Sequence, residues 1–267
     1  MRHVAVVTLV VAMVLLGLWQ LRRLDEKRAY GSLVEARQDQ PVADVRDVVP
    51  SDARVDDDAI DAVLYRKVSA MGTYEDDDTV VVENRTLNGA SGAWVLTPLR
   101  LEDGAAVVVN RGFIGFDREG AIVPPAAPRG SVIAQGLLFP SQRRGSFGPT
   151  DPQDGELEVL ARVDLDRLEA QVDYQVLPAY LHLVGGDPDE SPTTGDVPAL
   201  VPLGPPELEE GPHLSYAVQW FIFSTIAAGG YGLLLRRVAR DHGKEVAAAT
   251  ADADVDRELP ELLDAER

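Results

Sequence analysis

The sequence predicts an α+β membrane protein in which two transmembrane helices flank a mostly antiparallel β extracytoplasmic domain, a small barrel or sandwich with one or two short helices. Three observations predict this fold class. An uncharged apolar run lies near each end of the chain, strand-like runs separated by turn signals fill the middle, and arginines directly follow the second apolar run.

The first apolar run extends from Val4 to Leu21, contains no charged residue and is just long enough to span the core of a bilayer. A cleaved signal peptide is the alternative, but the run ends in Trp-Gln-Leu-Arg-Arg instead of a small-x-small cleavage site. We therefore expect a retained transmembrane helix over residues 1–24. Trp19 is expected at the membrane interface, with Arg22 and Arg23 reaching the lipid headgroups.

The second apolar run, Leu214 to Leu235, is also uncharged and long enough to span a bilayer. Its interior is less apolar than that of the first run, so a buried helix of a soluble protein is the alternative. We expect a second transmembrane helix over residues 212–237. Arg236 and Arg237 follow it and favour a cytoplasmic end, although basic residues also follow the first run. Two spans then place both termini in the cytoplasm and the middle of the chain outside.

Between the spans, residues 25–61 are expected to form a helical stalk, from Asp25 to Gln38, and then an acidic linker. The extracytoplasmic β domain is expected over residues 62–211. One short helix is predicted at DLDRLEAQ, with Asp164 as its N-cap, and DDDAID marks another helix start. The strand-like runs are LYRKVSAMGTY, TVVVENR, GAWVLTPLRL, AAVVVNRGFIGF, SVIAQGLLF and YQVLPAYLHLV.

The composition excludes several kinds of partner and site. The 267 residues carry a formal net charge of −19, from 25 Lys and Arg against 44 Asp and Glu, so we expect no nucleic-acid binding. The chain has no cysteine, which excludes disulfides, thiolate metal sites and haem attachment through C-x-x-C-H. Residues 238–267 form an acidic tail that we expect to be disordered or to contain a short helix ending near Leu263.

The sequence contains no recognisable catalytic motif. Its four histidines form neither H-x-x-x-H nor H-E-x-x-H, and there is no G-x-S-x-G, P-loop or G-x-G-x-x-G pattern. A membrane-tethered hydrolase therefore has little support, and we expect a protein that is not an enzyme. The aspartate runs at residues 56–58 and 76–78 are expected to be solvated, and His182 is expected on a half-exposed strand face.

The pattern V-x-N-R-x-x-x-G occurs twice, with Arg85 in the first copy and Arg111 in the second. One interpretation makes the two arginines anion-binding arms, for carboxylates such as propionates. The alternative, which we favour, is that both copies are strand ends followed by turns. In that case the asparagines tolerate a left-handed backbone and the arginines satisfy local carbonyls or acids.

His213 opens the second apolar run, where a polar side chain is costly and usually faces protein or a ligand. Pro212 favours a helix start there, which places His213 in the first turn at the outer membrane face. A neutral imidazole at this position is a candidate axial ligand for haem iron, and the alternative is an interfacial histidine satisfied by water. Gln219, a polar residue at membrane depth, is also expected to face protein or a ligand. The helical stripe through His213 contains Tyr216, Ala217, Trp220, Ser224 and Ala227 or Ala228.

Several segments together resemble the surfeit locus protein 1 family of cytochrome c oxidase assembly factors, in the same order and over about residues 15 to 237. LGLWQLRRLDEK closes the first span and HLSYAVQWF opens the second. The central similarity lies in VSAMGTY, VVENRTLNGASGAWVLTPLRL, VVVNRGFIG, DLDRLEAQ and YQVLPAYLHL. One departure is Glu26, since members often have an aromatic residue before the lysine at Lys27, and this departure puts an aromatic contact there in doubt.

The resemblance implies a haem-handling chaperone of the bacterial cell membrane whose extracytoplasmic domain helps insert haem a into the catalytic subunit of cytochrome c oxidase. It implies that His213 binds haem a iron transiently, in a motif that also contains Tyr216, Gln219 and Trp220. Trp19, Gln20 and Arg22 match the motif that closes the first span, and Asn110, Arg111 and Gly112 match a central N-R-G.

The partners that the resemblance implies are the oxidase catalytic subunit, the haem a synthesis machinery and the lipid bilayer. Arg22 or Arg111 is the basic residue expected near the haem propionates. The alternative function is a scaffold that stabilises an oxidase assembly intermediate without binding haem.

Overall fold

A computed structural model of the chain describes residues 2–50, 53–55, 57–117, 119–145, 148–152, 154–187, 200–206 and 208–264. The chain divides into two compact units. A helical unit comprises Met1–Tyr30 and Leu208–Arg267, and a sheet unit comprises Gly31–Glu207.

Two long helices dominate the termini: α1 (Arg2–Gln38) and α5 (His213–Asp264). α1 ends at Gln38, the residue at which the sequence predicts the end of the stalk, and its last turns belong to the sheet unit. α5 continues past the second apolar run as far as Asp264. The acidic tail, for which the sequence left disorder or a short helix open, is therefore a continuation of α5 over its described residues.

Each terminal helix is long and apolar enough to cross a membrane, over His3–Gln38 and His213–Ala247. Only 6% of the apolar window in either helix is buried, and large side chains such as Leu15 and Ile226 are exposed. A core helix of a soluble protein would bury these side chains. The structure therefore confirms two candidate transmembrane helices flanking a mostly β domain, and the alternative of a buried soluble helix is wrong.

The described part of the sheet unit contains eight strands, three short α-helices and one 3₁₀ turn at Asp76–Asp78. The strands are β1 (Ala43–Asp44), β2 (Lys67–Tyr74), β3 (Val80–Leu87), β4 (Ala90–Leu101), β5 (Ala106–Gly115), β6 (Ser131–Pro140), β7 (Val159–Leu160) and β8 (Ala179–Asp187). The helices are α2 (Val45–Val48), α3 (Asp58–Val63) and α4 (Leu165–Glu169). Asp164 caps α4 as the sequence predicts, by accepting a hydrogen bond from the Arg167 backbone N–H. The single turn α2, capped by Asp44, was not predicted.

The strands close into a small barrel. Hydrogen bonding follows the order β1-β2-β6-β8-β5-β4-β3-β7, and a further pairing of β2 with β4 joins β2, β6, β8, β5 and β4 into a ring. Most pairs are antiparallel, while β1–β2, β3–β7 and β5–β8 are parallel. Gly72 lies at the closure, paired with both Val132 and Leu101. A Cβ atom at Gly72 would overlap the carbonyl oxygen of Arg100, so closure at this point requires glycine.

Two apolar cores lie on the two faces of β5, which is buried at nearly every position. Val107 and Val109 face one core together with Leu138 and Leu181. Val108 faces the other core, where Leu165 and Leu168 of α4 cover the sheet. A strand that is buried on both faces reads as a continuous apolar run, which explains the sequence AAVVV at its start.

Candidate functional site

The helical unit is built on an antiparallel contact between α1 and α5. Three contacts join the helices: His3 with the Tyr231 hydroxyl, Gly17 with the Phe221 ring, and Gln20 with His213. Residues that come later in α1 contact residues that come earlier in α5, so the two helices are antiparallel. A Cβ atom at Gly17 would lie 2.8 Å from the Phe221 ring. The missing side chain therefore lets the aromatic ring approach the backbone of α1.

His213 is joined to Gln20 by a hydrogen bond of 2.8 Å between His213 Nδ1 and Gln20 Oε1. Because the amide oxygen accepts, Nδ1 carries a proton, and in the neutral form of the imidazole Nε2 then has the lone pair. No hydrogen bond to Nε2 comes from the residues that the structure describes. An imidazole oriented by a partner on one nitrogen, with a lone pair on the other, is the usual arrangement of a metal-ligating histidine.

The face of α5 that meets α1 follows the predicted stripe. Ala217 and Ser224 are buried, and His213, Trp220 and Ala227 are half-buried at alternating spacings of three and four residues. The Ser224 hydroxyl donates to the Phe221 carbonyl oxygen over 2.8 Å, so this buried polar group is satisfied within its own helix. Two small residues of the stripe, Ala217 and Ser224, are thus buried in the helical unit.

Other residues predicted for the site do not lie on this contact. Trp19 and Tyr216 are 56% and 49% exposed, and Arg22 and Gln219 are also exposed. The Trp220 ring packs edge-on against Phe223 at 6.2 Å between centroids. Of the predicted residues, the structure thus joins Gln20 and His213 directly and leaves the aromatic residues Trp19 and Tyr216 on outer surfaces of the helices.

A second link between α1 and the segment before α5 was missed by sequence reasoning. Arg28 donates two hydrogen bonds to the Glu210 carboxylate, of 2.9 and 3.0 Å, and this partner lowers the pKa of Glu210. Both side chains are about half exposed, so the pair fixes geometry more than it adds stability. Glu26, where the first motif departs from the family pattern, pairs with Arg23 at 2.8 Å.

Arg111 is the predicted site residue that the structure places elsewhere, inside the sheet unit. Its side chain is 2% exposed and donates to the backbone oxygens of Pro125 and Ala126 at 3.0 and 3.2 Å. Gly112 has a φ of +143°, and a Cβ there would lie 2.8 Å from the Val201 oxygen. The central N-R-G motif therefore lies within β5, at a bulge in its pairing with β4, and not at a strand end. Arg111 satisfies local carbonyls, as the structural alternative expects, and has no surface for propionates.

His182 is buried, at 6% exposed, so the expectation of a half-exposed strand face is wrong. Burial lowers its pKa to about 4, and neither ring nitrogen has a hydrogen-bond partner among the described residues. The imidazole is surrounded by aromatic rings instead, with Phe139 at 4.9 Å and Trp94 at 6.3 Å between centroids. His182 is thus a neutral core residue.

The aspartate runs are partly structural. Asp76 accepts a hydrogen bond from the Ala127 backbone N–H, and Asp78 accepts one from the Tyr174 hydroxyl, each of 2.6 Å. Asp76 and Asp77 are exposed, as expected, but Asp76 and Asp78 also hold other segments through these hydrogen bonds. Asp56 lies outside the described residues. Within the described part of the chain, no three His, Asp or Glu side chains form a group that holds a metal ion.

Comparison with known sequences gives the family. A sequence model of the SURF1 family matches residues 7–225, a range that includes both Gln20 and His213 and ends inside the second apolar run. An uncharacterised SURF1-like protein of Mycobacterium tuberculosis is 28% identical over 86% of this chain and 80% of its own length. A SURF1-like protein of Rickettsia bellii is 25% identical over 79% of this chain and 81% of its own length. The resemblance found from the motifs is confirmed, and the chain belongs to the SURF1 family, whose members are assembly factors of cytochrome oxidase rather than catalysts.

Proposed function

We propose that this chain is a membrane-bound assembly factor that binds haem a transiently and aids its insertion into the catalytic subunit of cytochrome c oxidase. The observation that carries this proposal is the 2.8 Å hydrogen bond between Gln20 and His213. It joins one residue from each terminal helix and leaves Nε2 of His213 with a lone pair for iron.

A single histidine ligand suits a carrier. His213 is held by one neutral amide, and among the described residues no cluster of three metal-binding side chains surrounds it. When bound, haem a would supply the iron that His213 ligates and an apolar tail suited to the exposed apolar surface of the helices. A weak and exchangeable ligand set allows the protein to release the cofactor to a partner.

The negatively charged propionate groups of haem a require a basic side chain as partner. Arg22 is exposed two residues after Gln20, and a guanidinium forms paired hydrogen bonds with carboxylates. We therefore assign the propionate contact to Arg22, because the guanidinium of Arg111 is already taken up by backbone carbonyls.

In this proposal the chain spans the bacterial cell membrane twice, with both termini in the cytoplasm and the β domain outside. Arg236, Arg237 and Arg240 at the end of the second apolar run favour this orientation. The proposed partners are the catalytic subunit of the oxidase, the machinery that synthesises haem a, and the bilayer.

The test is haem retention by the full chain purified in detergent from cells that synthesise haem a. Wild type and His242→Ala are expected to carry haem a, and His213→Ala to lose it while still binding the oxidase subunit. His242 is the matched control because it is an exposed histidine on the same helix, beside Glu245. If neither wild type nor His242→Ala carries haem while the oxidase subunit co-purifies, the protein is a scaffold and the carrier proposal fails.

A further inference from the structure

A cleft of about 530 Å³ in the sheet unit is lined by arginines. Four of them face it, Arg85, Arg143, Arg144 and Arg162, and its described lining contains no Asp or Glu. The chain as a whole has 44 acidic residues against 25 basic ones. The cleft therefore concentrates positive charge in a protein whose net charge is −19, and such a concentration is unexpected without a function.

Arg85 is held rigidly in the cleft. Its guanidinium lies 4.5 Å from the centroid of the Trp94 ring and donates from Nη2 to Gln142 Oε1 over 2.9 Å. Gln142 is itself fixed, because the same oxygen accepts from the Val163 backbone N–H. A planar group that is stacked on one face and anchored at one nitrogen presents its remaining donors in a fixed direction.

The donors of Arg85 are not fully used. Its Nε is buried and has no hydrogen-bond partner among the described residues. Burial also lowers the pKa of the Arg85 guanidinium, because it disfavours the charged form. A partly buried charge is costly, and an anion bound in the cleft would offset that cost through its opposite charge.

The other cleft arginines differ in how far they are neutralised. Arg162 lies 4.0 Å from Asp151 and 3.8 Å from Asp164, and it also donates to the Pro149 carbonyl oxygen. Arg143 and Arg144 are exposed at the cleft rim. The inference therefore depends on Arg85 and on Arg144 at the rim, and not on Arg162.

We infer that this cleft binds a ligand that carries phosphate or carboxylate groups. Guanidinium groups recognise both oxyanions through paired charge-assisted hydrogen bonds. Arg85 forms the fixed floor of the site, and Arg144 contributes from the rim. The site lies within the sheet unit and uses no residue of the helical unit, so it is independent of His213.

Titration of the full chain in nonionic detergent with pyrophosphate, followed by calorimetry at fixed ionic strength, tests the inference. Wild type is expected to bind pyrophosphate, Arg144→Ala to bind on the order of tenfold more weakly, and Arg144→Glu to lose binding. Arg129→Glu is the matched control, because Arg129 is an exposed arginine of the same unit outside the cleft lining. Equal losses in Arg144→Glu and Arg129→Glu, or no binding by wild type, would overturn the inference.

A second titration distinguishes a soluble anion from a lipid headgroup. Dihexanoylphosphatidylglycerol, used below its micelle concentration, carries one phosphate on a lipid. Tighter binding of this lipid than of pyrophosphate, lost in Arg144→Glu, identifies a headgroup site, and the reverse order identifies a soluble ligand. His213→Ala is expected to leave both affinities unchanged, which separates this site from haem binding.

Discussion

Gln20 on α1 and His213 at the start of α5 are joined by a hydrogen bond although 193 positions separate them in the sequence. The amide oxygen accepts from Nδ1 and so orients the imidazole, and in the proposed function Gln20 is therefore a positioning residue that acts through His213.

Replacing Gln20 by Leu is expected to weaken haem a binding by about 10- to 100-fold without abolishing it, because the imidazole loses the partner that orients it. Gln20→Glu is expected to retain binding, since a carboxylate also accepts from Nδ1. Titration of the detergent-purified full chain with haem a measures both affinities. Thr8→Leu, at an exposed polar position of α1, serves as the control. Equal losses in the Leu and Glu variants would argue against an orienting hydrogen bond.

Gly17 is expected to set the spacing of the two helices. Gly17→Leu would place side-chain atoms where the Phe221 ring lies and push α1 away from α5. Because the chain has no native cysteine, the variant Arg28→Cys with Glu210→Cys reports the helix spacing through its rate of cross-linking by a short bismaleimide. That rate should fall several-fold in Gly17→Leu and remain unchanged in Gly229→Leu, where a Cβ meets nothing within 4 Å. An unchanged rate in both variants would show that Gly17 does not control the spacing.

Much of the local structure could be predicted from the sequence. The apolar runs, the Asp164 cap and six of the strands depend on short-range periodicity and turn residues, which a sequence displays directly. The closure of β2 on β4 and the parallel pairing of β5 with β8 could not be predicted, since they join distant segments.

Long-range contacts also explain what was missed at the candidate sites. Arg85 and Arg111 share one sequence pattern, yet Arg85 lines a cleft and Arg111 is buried against carbonyls. The difference comes from neighbours contributed by other strands and loops, as does the pairing of Gln20 with His213.

His182 should make the stability of the sheet unit depend on pH. Its pKa is about 4 in the folded chain, below the ordinary value of 6.5, so the unfolded state binds more protons between these values. Stability is therefore fully present above about pH 6.5 and falls as the pH drops toward 4. The loss attributable to His182 is about 2 kcal/mol between pH 7.5 and pH 5.

Urea unfolding of the full chain in detergent, followed by Trp94 fluorescence in a Trp19→Phe, Trp220→Phe background, measures this pH dependence. His182→Leu should remove the His182 contribution to the slope and should not destabilise the chain at pH 7.5, because it removes two buried nitrogens that lack partners. The same slope in His182→Leu as in the parent would contradict a neutral buried imidazole.

Gly72 should be essential to closure of the barrel. Gly72→Ala forces a Cβ against the Arg100 carbonyl oxygen, and we expect a loss of about 2–4 kcal/mol in the free energy of unfolding. The same Trp94 fluorescence assay measures it. Gly115→Ala, where a Cβ meets nothing within 4 Å, should cost much less. Closely similar losses in the two variants would mean that strand closure is not the cause.

The central claim is that His213 ligates haem iron, and an absorption spectrum with chemical rescue tests it most directly. The full chain is purified in detergent from cells that make haem a, as wild type and as His213→Ala, and the spectrum of the variant is repeated after imidazole is added. We predict a haem a band in wild type, its loss or shift in His213→Ala, and its recovery with imidazole. A wild-type band that is unchanged in His213→Ala would show that iron is bound elsewhere and would contradict the account.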